Sequence, residues 1–167
     1  MVKKIFLLTL FLIACKNPFA PRLDEGEITR IILTDQTSPD EVLQNFVYAY
    51  TFKDSLVYAD LLDSSFVFVY FDPTLSNSGR FVSWNRDVDL KTTGRLFRNF
   101  DTISLTWNNT IYQIIEDGEA ELSKTLRLNL FGDPGEFVLT GSAIFNFKKS
   151  SYDGKWRITR WLDESEM

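Results

Sequence analysis

From Thr102 to Asp163 the chain alternates between apolar and polar residues with a period of two, broken by short turn sequences. Ile103, Leu105 and Trp107 alternate first, and Thr110 to Glu116 continues the run across a bulge expected at Asn108-Asn109. Glu116-Asp117-Gly118-Glu119 reads as a turn, and Leu126, Leu128 and Leu130 then share one face of the next run. After Gly132-Asp133-Pro134-Gly135 come Phe137, Leu139, Gly141, Ala143, Phe145 and Phe147 in strict alternation. Asp153-Gly154 supplies hairpin chemistry before Trp156, Ile158, Arg160 and Leu162. A side-chain period of two means successive residues lie on opposite faces. Four long strands joined by tight turns make an antiparallel sheet, which needs cover from the rest of the chain.

The preceding segment supplies that cover. Ser38-Pro39-Asp40-Glu41 is a capping box with proline at the first helical position. Val42, Leu43, Phe46, Val47 and Tyr50 follow on one helical face. Asp54 caps a second helix whose Val57, Tyr58, Leu61 and Leu62 turn inward. Phe66 to Phe71 is β-branched and aromatic and ends at Asp72-Pro73, so it reads as a strand. Residues 74–82 read as a polar loop, and Trp84 to Phe100 as a helix burying Trp84, Val88, Leu96, Phe97 and Phe100. The fold class is α+β: helices packed on a strongly curved antiparallel sheet.

The N-terminus carries a different signal. Lys3-Lys4 precedes the ten residues Ile5 to Ala14, and Cys15 follows as the sole cysteine of the chain. This has the layout of a secretory signal peptide, and it falls well short of the roughly 20 apolar residues a membrane span needs. Leu12-Ile13-Ala14-Cys15 resembles the lipobox of bacterial lipoproteins. That resemblance implies removal of residues 1–14, lipidation of Cys15 and attachment to the membrane of the cell envelope. Lys16, where an aspartate would mark inner-membrane retention, favours the outer membrane. Residues 15–37 then read as the lipidated cysteine and a tether, and 38–167 as the domain; Ile28, Ile31, Ile32 and Leu33 suggest an arm within that tether.

Several chemistries are excluded by what the chain lacks. It has no histidine, so no Ser-His-Asp or Cys-His arrangement and no Cys/His zinc site can form. No phosphate-binding glycine loop, dinucleotide motif or calcium loop is present, so no cofactor or metal is expected. The net charge is −5, and losing Lys3 and Lys4 with the signal makes the mature chain more acidic still. That argues against nucleic acid as a partner.

The order of elements resembles the NTF2-like superfamily, the cone-shaped fold of SnoaL-like and ketosteroid-isomerase-like proteins. The residues that carry the resemblance are Phe46 to Asp54, Tyr58, Leu61-Leu62, Phe66 to Tyr70 and the closing Gly154-Lys155-Trp156-Arg157-Ile158-Thr159-Arg160-Trp161. It spans residues 38–163 and specifies fold far better than function. It implies a conical pocket between helices and sheet.

Three functions fit this sequence. In the first, a tethered module binds an apolar small molecule or a protein partner in that pocket, lined by Tyr50, Phe68, Tyr70, Trp84, Trp107, Phe145 and Trp161. Asp72, Arg86, Arg160 and Asp163 are its candidate polar groups. The competing explanation for each ring is that it fills the core. Strict alternation puts Trp156 and Trp161 on opposite faces, so one of them should point away from the core. In the second, an isomerase or dehydratase uses a buried carboxylate among Asp72, Asp87, Asp89 and Asp163, with Tyr70 or Tyr112 as donor. Asp87 and Asp89 are expected on the surface of their helix. In the third, apolar residues on both sheet faces, such as Leu139 and Ile144, support a homodimer or another protein contact. The first reading, without catalysis, fits the missing motifs best.

Overall fold

The computed structural model describes residues 32–165. The signal segment, Cys15 and the greater part of the tether lie outside the described residues. Helix α1 spans Pro39–Phe52, α2 Ser55–Leu61 and α3 Arg86–Asn99. The strands are β1 Leu62–Asp72, β2 Arg80–Asn85, β3 Thr102–Glu116, β4 Glu119–Gly132, β5 Gly135–Lys149 and β6 Trp156–Asp163. They form one sheet in the order β2-β1-β6-β5-β4-β3.

Local chemistry sets the helix ends. The Ser38 hydroxyl accepts the Glu41 amide at 3.3 Å, and Pro39 occupies the first turn. Lys53 closes α1 in the left-handed region at φ 56°, and the Asp54 amide returns to the Ala49 carbonyl. Asp54 then starts α2, its Oδ1 accepting the amides of Leu56 and Val57 at 3.0 Å each. Asn85 caps α3 through the Val88 amide.

Four expectations are corrected. The segment read as a loop, 74–82, gives way at Arg80 to β2, which pairs with β1 from Arg80↔Asp72 to Asn85↔Val67. Trp84 therefore sits on a strand, and α3 begins only at Arg86. Proximity to the capping Asn85 hid that strand, since its six residues are flanked by helix chemistry on one side and turn residues on the other. The sheet is also mixed, because β1 and β6 pair in parallel through Phe68↔Trp161. A helix on the way from β1 makes such a crossover possible.

The third correction concerns α3. Val88 is 45% exposed, while Asp89, Thr93 and Phe97 are buried. Their spacing of four puts them on one stripe. The helix thus turns a carboxylate, not a valine, toward the core.

The β6 register overturns the alternation argument about its tryptophans. Opposite β5, Phe147 pairs with Ile158 but Asn146 pairs with Arg160, so Thr159 is an extra residue. A bulge of one residue shifts the face of everything beyond it. Trp156, Ile158 and Trp161 therefore all face inward: Trp156 is buried, and the Trp161 ring lies 5.5 Å from Phe46 and 4.9 Å from Phe68. A second bulge falls at Asn108-Asn109, where the Asn109 amide donates to Thr125 Oγ1.

The core sits between α1, α3 and the inner face of the sheet. Leu122, Phe145, Trp161, Phe68 and Trp84 lie side by side across β4, β5, β6, β1 and β2. Phe46 of α1 plugs this row, with Tyr50, Tyr58, Trp107, Phe145 and Trp161 within 6.1 Å of its ring centre. Burial of such a side chain stabilises by about 1.5–3 kcal/mol, and edge-to-face contact adds to it.

Candidate functional site

Two places concentrate chemistry: a sealed polar cluster on the inner side of the sheet, and an open cavity at the ends of β1 and β6. The cluster centres on Asp89. Tyr58 donates its phenolic proton to Oδ2 at 2.7 Å, and Trp84 Nε1–H donates to Oδ1 at 3.0 Å. Three elements meet there, because Tyr58 lies on α2, Trp84 on β2 and Asp89 on α3.

Burial lifts the Asp89 carboxyl above its ordinary value, and the hydrogen bonds from Trp84 and Tyr58 oppose that rise only in part. Burial also raises the Tyr58 phenol, followed by the influence of Tyr50 and of Asp89. The Tyr50 phenol is raised by burial and then by the Asp89 charge, against hydrogen bonding from Thr93 and Tyr58. Both phenols therefore stay protonated, and Tyr58 donates to Asp89. Tyr50, Tyr58 and Asp89 are 4%, 1% and 3% exposed. Such a cluster fastens helices to sheet. A molecule in solvent does not reach its carboxylate without a rearrangement.

Tyr70 stands between this cluster and the open cavity. Its ring is 5.4 Å from Trp84 and 6.0 Å from Phe68. On its other side is a cavity of about 580 Å³, walled by Tyr70, Phe71, Phe81, Asp163, Glu164 and Ser165. That volume lies within the range of small-molecule sites, roughly 300–1,000 Å³. Phe71 and Phe81 form an edge-to-face pair at 5.3 Å and are 43% and 63% exposed. The acidic wall is built by the end of the chain. Asp163 Oδ1 accepts from the Ser165 amide at 3.0 Å and its hydroxyl at 2.7 Å, and the Glu164 amide donates to the Ser142 carbonyl. Gly141 permits this approach, since a Cβ there would lie 2.3 Å from the Ser165 Cα.

The remaining candidates are dispersed. Phe68, Trp84 and Trp161 back the cavity as packed core rings, and Tyr50 lies deeper in α1. Trp107 pins α1 to β3 by donating Nε1–H to the Leu43 carbonyl at 2.9 Å. Arg160 is on the opposite face of the sheet, in register with Asn146 and Val67, and so does not meet Asp163 in one site. Arg86 donates to the carbonyls of Ala59 and Leu62, which ties α3 to the end of α2. Asp72 caps a turn through Thr74. Tyr112 donates to Glu121 on the outer face, and that bond pushes its phenol up to about 12. Cys15 lies outside the described residues.

Sequence reasoning missed the inward placement of Asp89. The signal was present in the Asp89, Thr93, Phe97 spacing, but a carboxylate in the first turn of a helix reads as a surface charge. Among the described residues, no group of His, Cys, Asp and Glu is arranged to hold a metal ion. No helix among them is long and apolar enough to cross a membrane.

No protein-family model matches the sequence, and no curated protein matches it. Solved structures do. A conserved protein from Planctomyces limnophilus superposes with a TM-score of 0.65 at 18% identity, over 76% of this chain and 92% of its own. A candidate aromatic ring hydroxylase from Novosphingobium aromaticivorans gives 0.63 at 14% identity, over 80% and 90%. A candidate scytalone dehydratase from the same organism gives 0.63 at 16%, over 77% and 81%. Likenesses at this identity show the fold: three helices on a six-stranded curved sheet, the NTF2-like cone.

Proposed function

We propose that this chain is an exported, lipid-anchored binding domain without a catalytic role, which holds a small apolar molecule at the bacterial cell envelope. The observation that supports binding is the open cavity beside Tyr70: exposed aromatic rings on one wall, carboxylates on the other. Rings and carboxylates together favour an apolar ligand with a cationic or hydrogen-bond-donating end. The tight packing behind Tyr70 supports a binding role over a catalytic one, since Asp89 is held by two donors and is closed off from the cavity. The anchoring half of the proposal rests on Lys3-Lys4, the apolar run and Leu12 to Cys15. Two acyl chains on Cys15 would meet the requirement for stable attachment.

The test is a native mass spectrum of the full chain extracted from bacterial membranes in mild detergent. A bound small mass that disappears in Phe81→Ala supports the binding role; an empty wild-type spectrum at every extraction condition sinks it. Release of Cys15→Ser into the soluble fraction supports the anchor, and retention on membranes overturns it.

A second reading has its own support. Asp89 is a buried carboxylate held by a phenol and an indole, and two structural neighbours carry the names of enzymes. Under that reading a substrate displaces Tyr70 and Asp89 acts as the base. Turnover of a small substrate that is abolished in Asp89→Asn would establish it in place of the first.

A further inference from the structure

We propose that the end of the domain where α1 passes into α2 lies against the lipid bilayer, its exposed apolar side chains seated in the headgroup layer, a contact that rests on the anchoring at Cys15 proposed above. Ile32, Leu33, Phe52 and Leu56 are 62%, 48%, 57% and 85% exposed. They come from three segments: the chain entering the domain, the last turn of α1 and the first turn of α2. Tyr48 extends the patch, its ring 4.7 Å from that of Phe52.

The path of the entering chain gathers these residues. The Thr37 amide donates to Glu41 and the Thr34 amide to Asn45, each at 2.7 Å, so this segment runs antiparallel to α1. Followed back from Thr34, it carries Leu33 and Ile32 toward Tyr48 and the end of the helix. Leu33, Leu56 and Val57 line one cavity of about 250 Å³. The fold does not require apolar side chains at Phe52 and Leu56, since Lys53 and Asp54 supply the helix ends there. Apolar residues collected on a surface mark a place of contact.

The root of the anchor decides what covers the patch. Residues 16–31 join Cys15 to Ile32, and even fully extended they span at most about 55 Å. That chain enters the domain within the patch itself. The bilayer therefore meets this face as an intramolecular neighbour, ahead of a soluble partner or a second copy. The neighbouring charges suit a lipid surface as well. Asp54 is occupied by the amides of Leu56 and Val57, and Asp60 by Lys155 and Arg157. Both carboxylates are thus compensated, while Asp35 stays exposed on the entering chain. Such a contact draws on apolar burial at the interface rather than on attraction to anionic lipid.

The test uses the acylated chain in phosphatidylcholine nanodiscs that carry a lipid with a paramagnetic headgroup, read by methyl and amide NMR. Signals of Ile32, Leu33, Phe52 and Leu56 should broaden. Those of Ile114 and Val138, exposed to a similar degree on the outer face of the sheet, should stay sharp. The pattern should persist at high salt, because apolar contact is not screened. Phe52→Ser combined with Leu56→Ser alters exposed side chains only. That protein should melt like the wild type, stay on the membrane through Cys15 and lose the broadening at Ile32 and Leu33. Broadening strongest at Ile114 and Val138, or unchanged in the double variant, overturns the proposal. So do patch signals of a Cys15→Ser chain that shift on dilution without lipid, which would make a second copy the occupant. An intact mass without acyl groups on Cys15 would remove the anchor and this contact with it, whereas uniform broadening in an acylated chain would remove the contact alone.

Discussion

Tyr58 and Asp89, thirty-one residues apart, share a 2.7 Å hydrogen bond with almost no solvent access to either side chain. The bond joins α2 to α3 and, through Trp84, to the outermost strand at that edge of the sheet. It makes Asp89 a structural anchor that ties two helices to that edge of the sheet.

Replacing that carboxylate separates its charge from its hydrogen bonding. Asp89→Leu leaves the Tyr58 hydroxyl and the Trp84 N–H buried without their acceptor, at about 1–3 kcal/mol each. Asp89→Asn keeps an acceptor for Trp84 and should cost far less. The pH dependence follows from the raised carboxyl. A folded-state value above the ordinary 3.8 means the folded protein binds more protons, so stability falls as pH rises from near 3.8 through the folded value. Urea denaturation across that window should show this slope in wild type and its loss in Asp89→Asn. An unchanged slope would place the charge effect elsewhere.

The tryptophans give a second comparison. Trp107 Nε1 donates to the Leu43 carbonyl, and Trp84 Nε1 to Asp89, whereas Trp161 Nε1 is buried with no acceptor among the described residues. Trimming each to phenylalanine removes similar apolar area. Trp161→Phe also removes an unsatisfied donor, so it should be less destabilising than Trp107→Phe by about 1–3 kcal/mol. Trp84→Phe should be the most damaging, because it strips a donor from a buried carboxylate. Equilibrium unfolding with unchanged m-values would test the order, and an equal loss at all three positions would show that packing alone decides.

These same residues show how far the sequence was legible. Alternation, caps and turns located α1, α2 and the long strands, because each signal is local. The bulge at Thr159 has no local signal, and one unpaired residue was enough to reverse the expected face of Trp161. Asp89 looked like a helix-start charge because its partners, Tyr58 and Trp84, come from other elements. The cavity beside Tyr70 depends on how residues 163–165 fold back past Gly141, a tertiary contact no periodicity reports. Of the predicted binding residues, Tyr70 and Asp163 line that cavity, while Arg160 lies on the other face of the sheet.

Arg157 organises a surface network whose acid response runs opposite to that of Asp89. It donates to Asp153 at 2.7 Å and to Asp60 at 3.1 Å. Its hydrogen bonds hold Asp153 far below the ordinary range. Partial burial would raise Asp60, but bonds from Lys155 and Arg157 outweigh it and keep that carboxyl low as well. Lowered carboxyls contribute stability that is present above about 3.8 and lost as pH falls through the folded values. Arg157→Gln should lose little stability at neutral pH, since exposed pairs contribute little, and should show a shallower decline below pH 4. High salt should shrink the difference between the two proteins. A variant with the wild-type acid profile would assign that decline to other carboxylates.

Gly141 and Gly94 form a matched pair for the last prediction. A Cβ at Gly141 would meet the Ser165 Cα at 2.3 Å and its amide nitrogen at 3.0 Å, so backbone must move to admit it. A Cβ at Gly94, on α3, would come no closer than 3.6 Å to the flexible end of Arg98. Gly94→Ala should therefore stabilise by about 0.5–1 kcal/mol, the usual gain from removing a helical glycine. Gly141→Ala should destabilise by about 1–3 kcal/mol through forced displacement. The displacement has a specific address: the Glu164 amide loses the Ser142 carbonyl, and the wall made by Asp163, Glu164 and Ser165 swings away from Tyr70. Hydrogen exchange should show the Glu164 amide losing protection while the Phe145 and Ile158 amides keep theirs. Any ligand held beside Tyr70 should bind more weakly to the same variant. Retained protection at Glu164 in Gly141→Ala would mean that the sheet, not the C-terminal segment, yields to the added methyl, and would detach the cavity from the glycine.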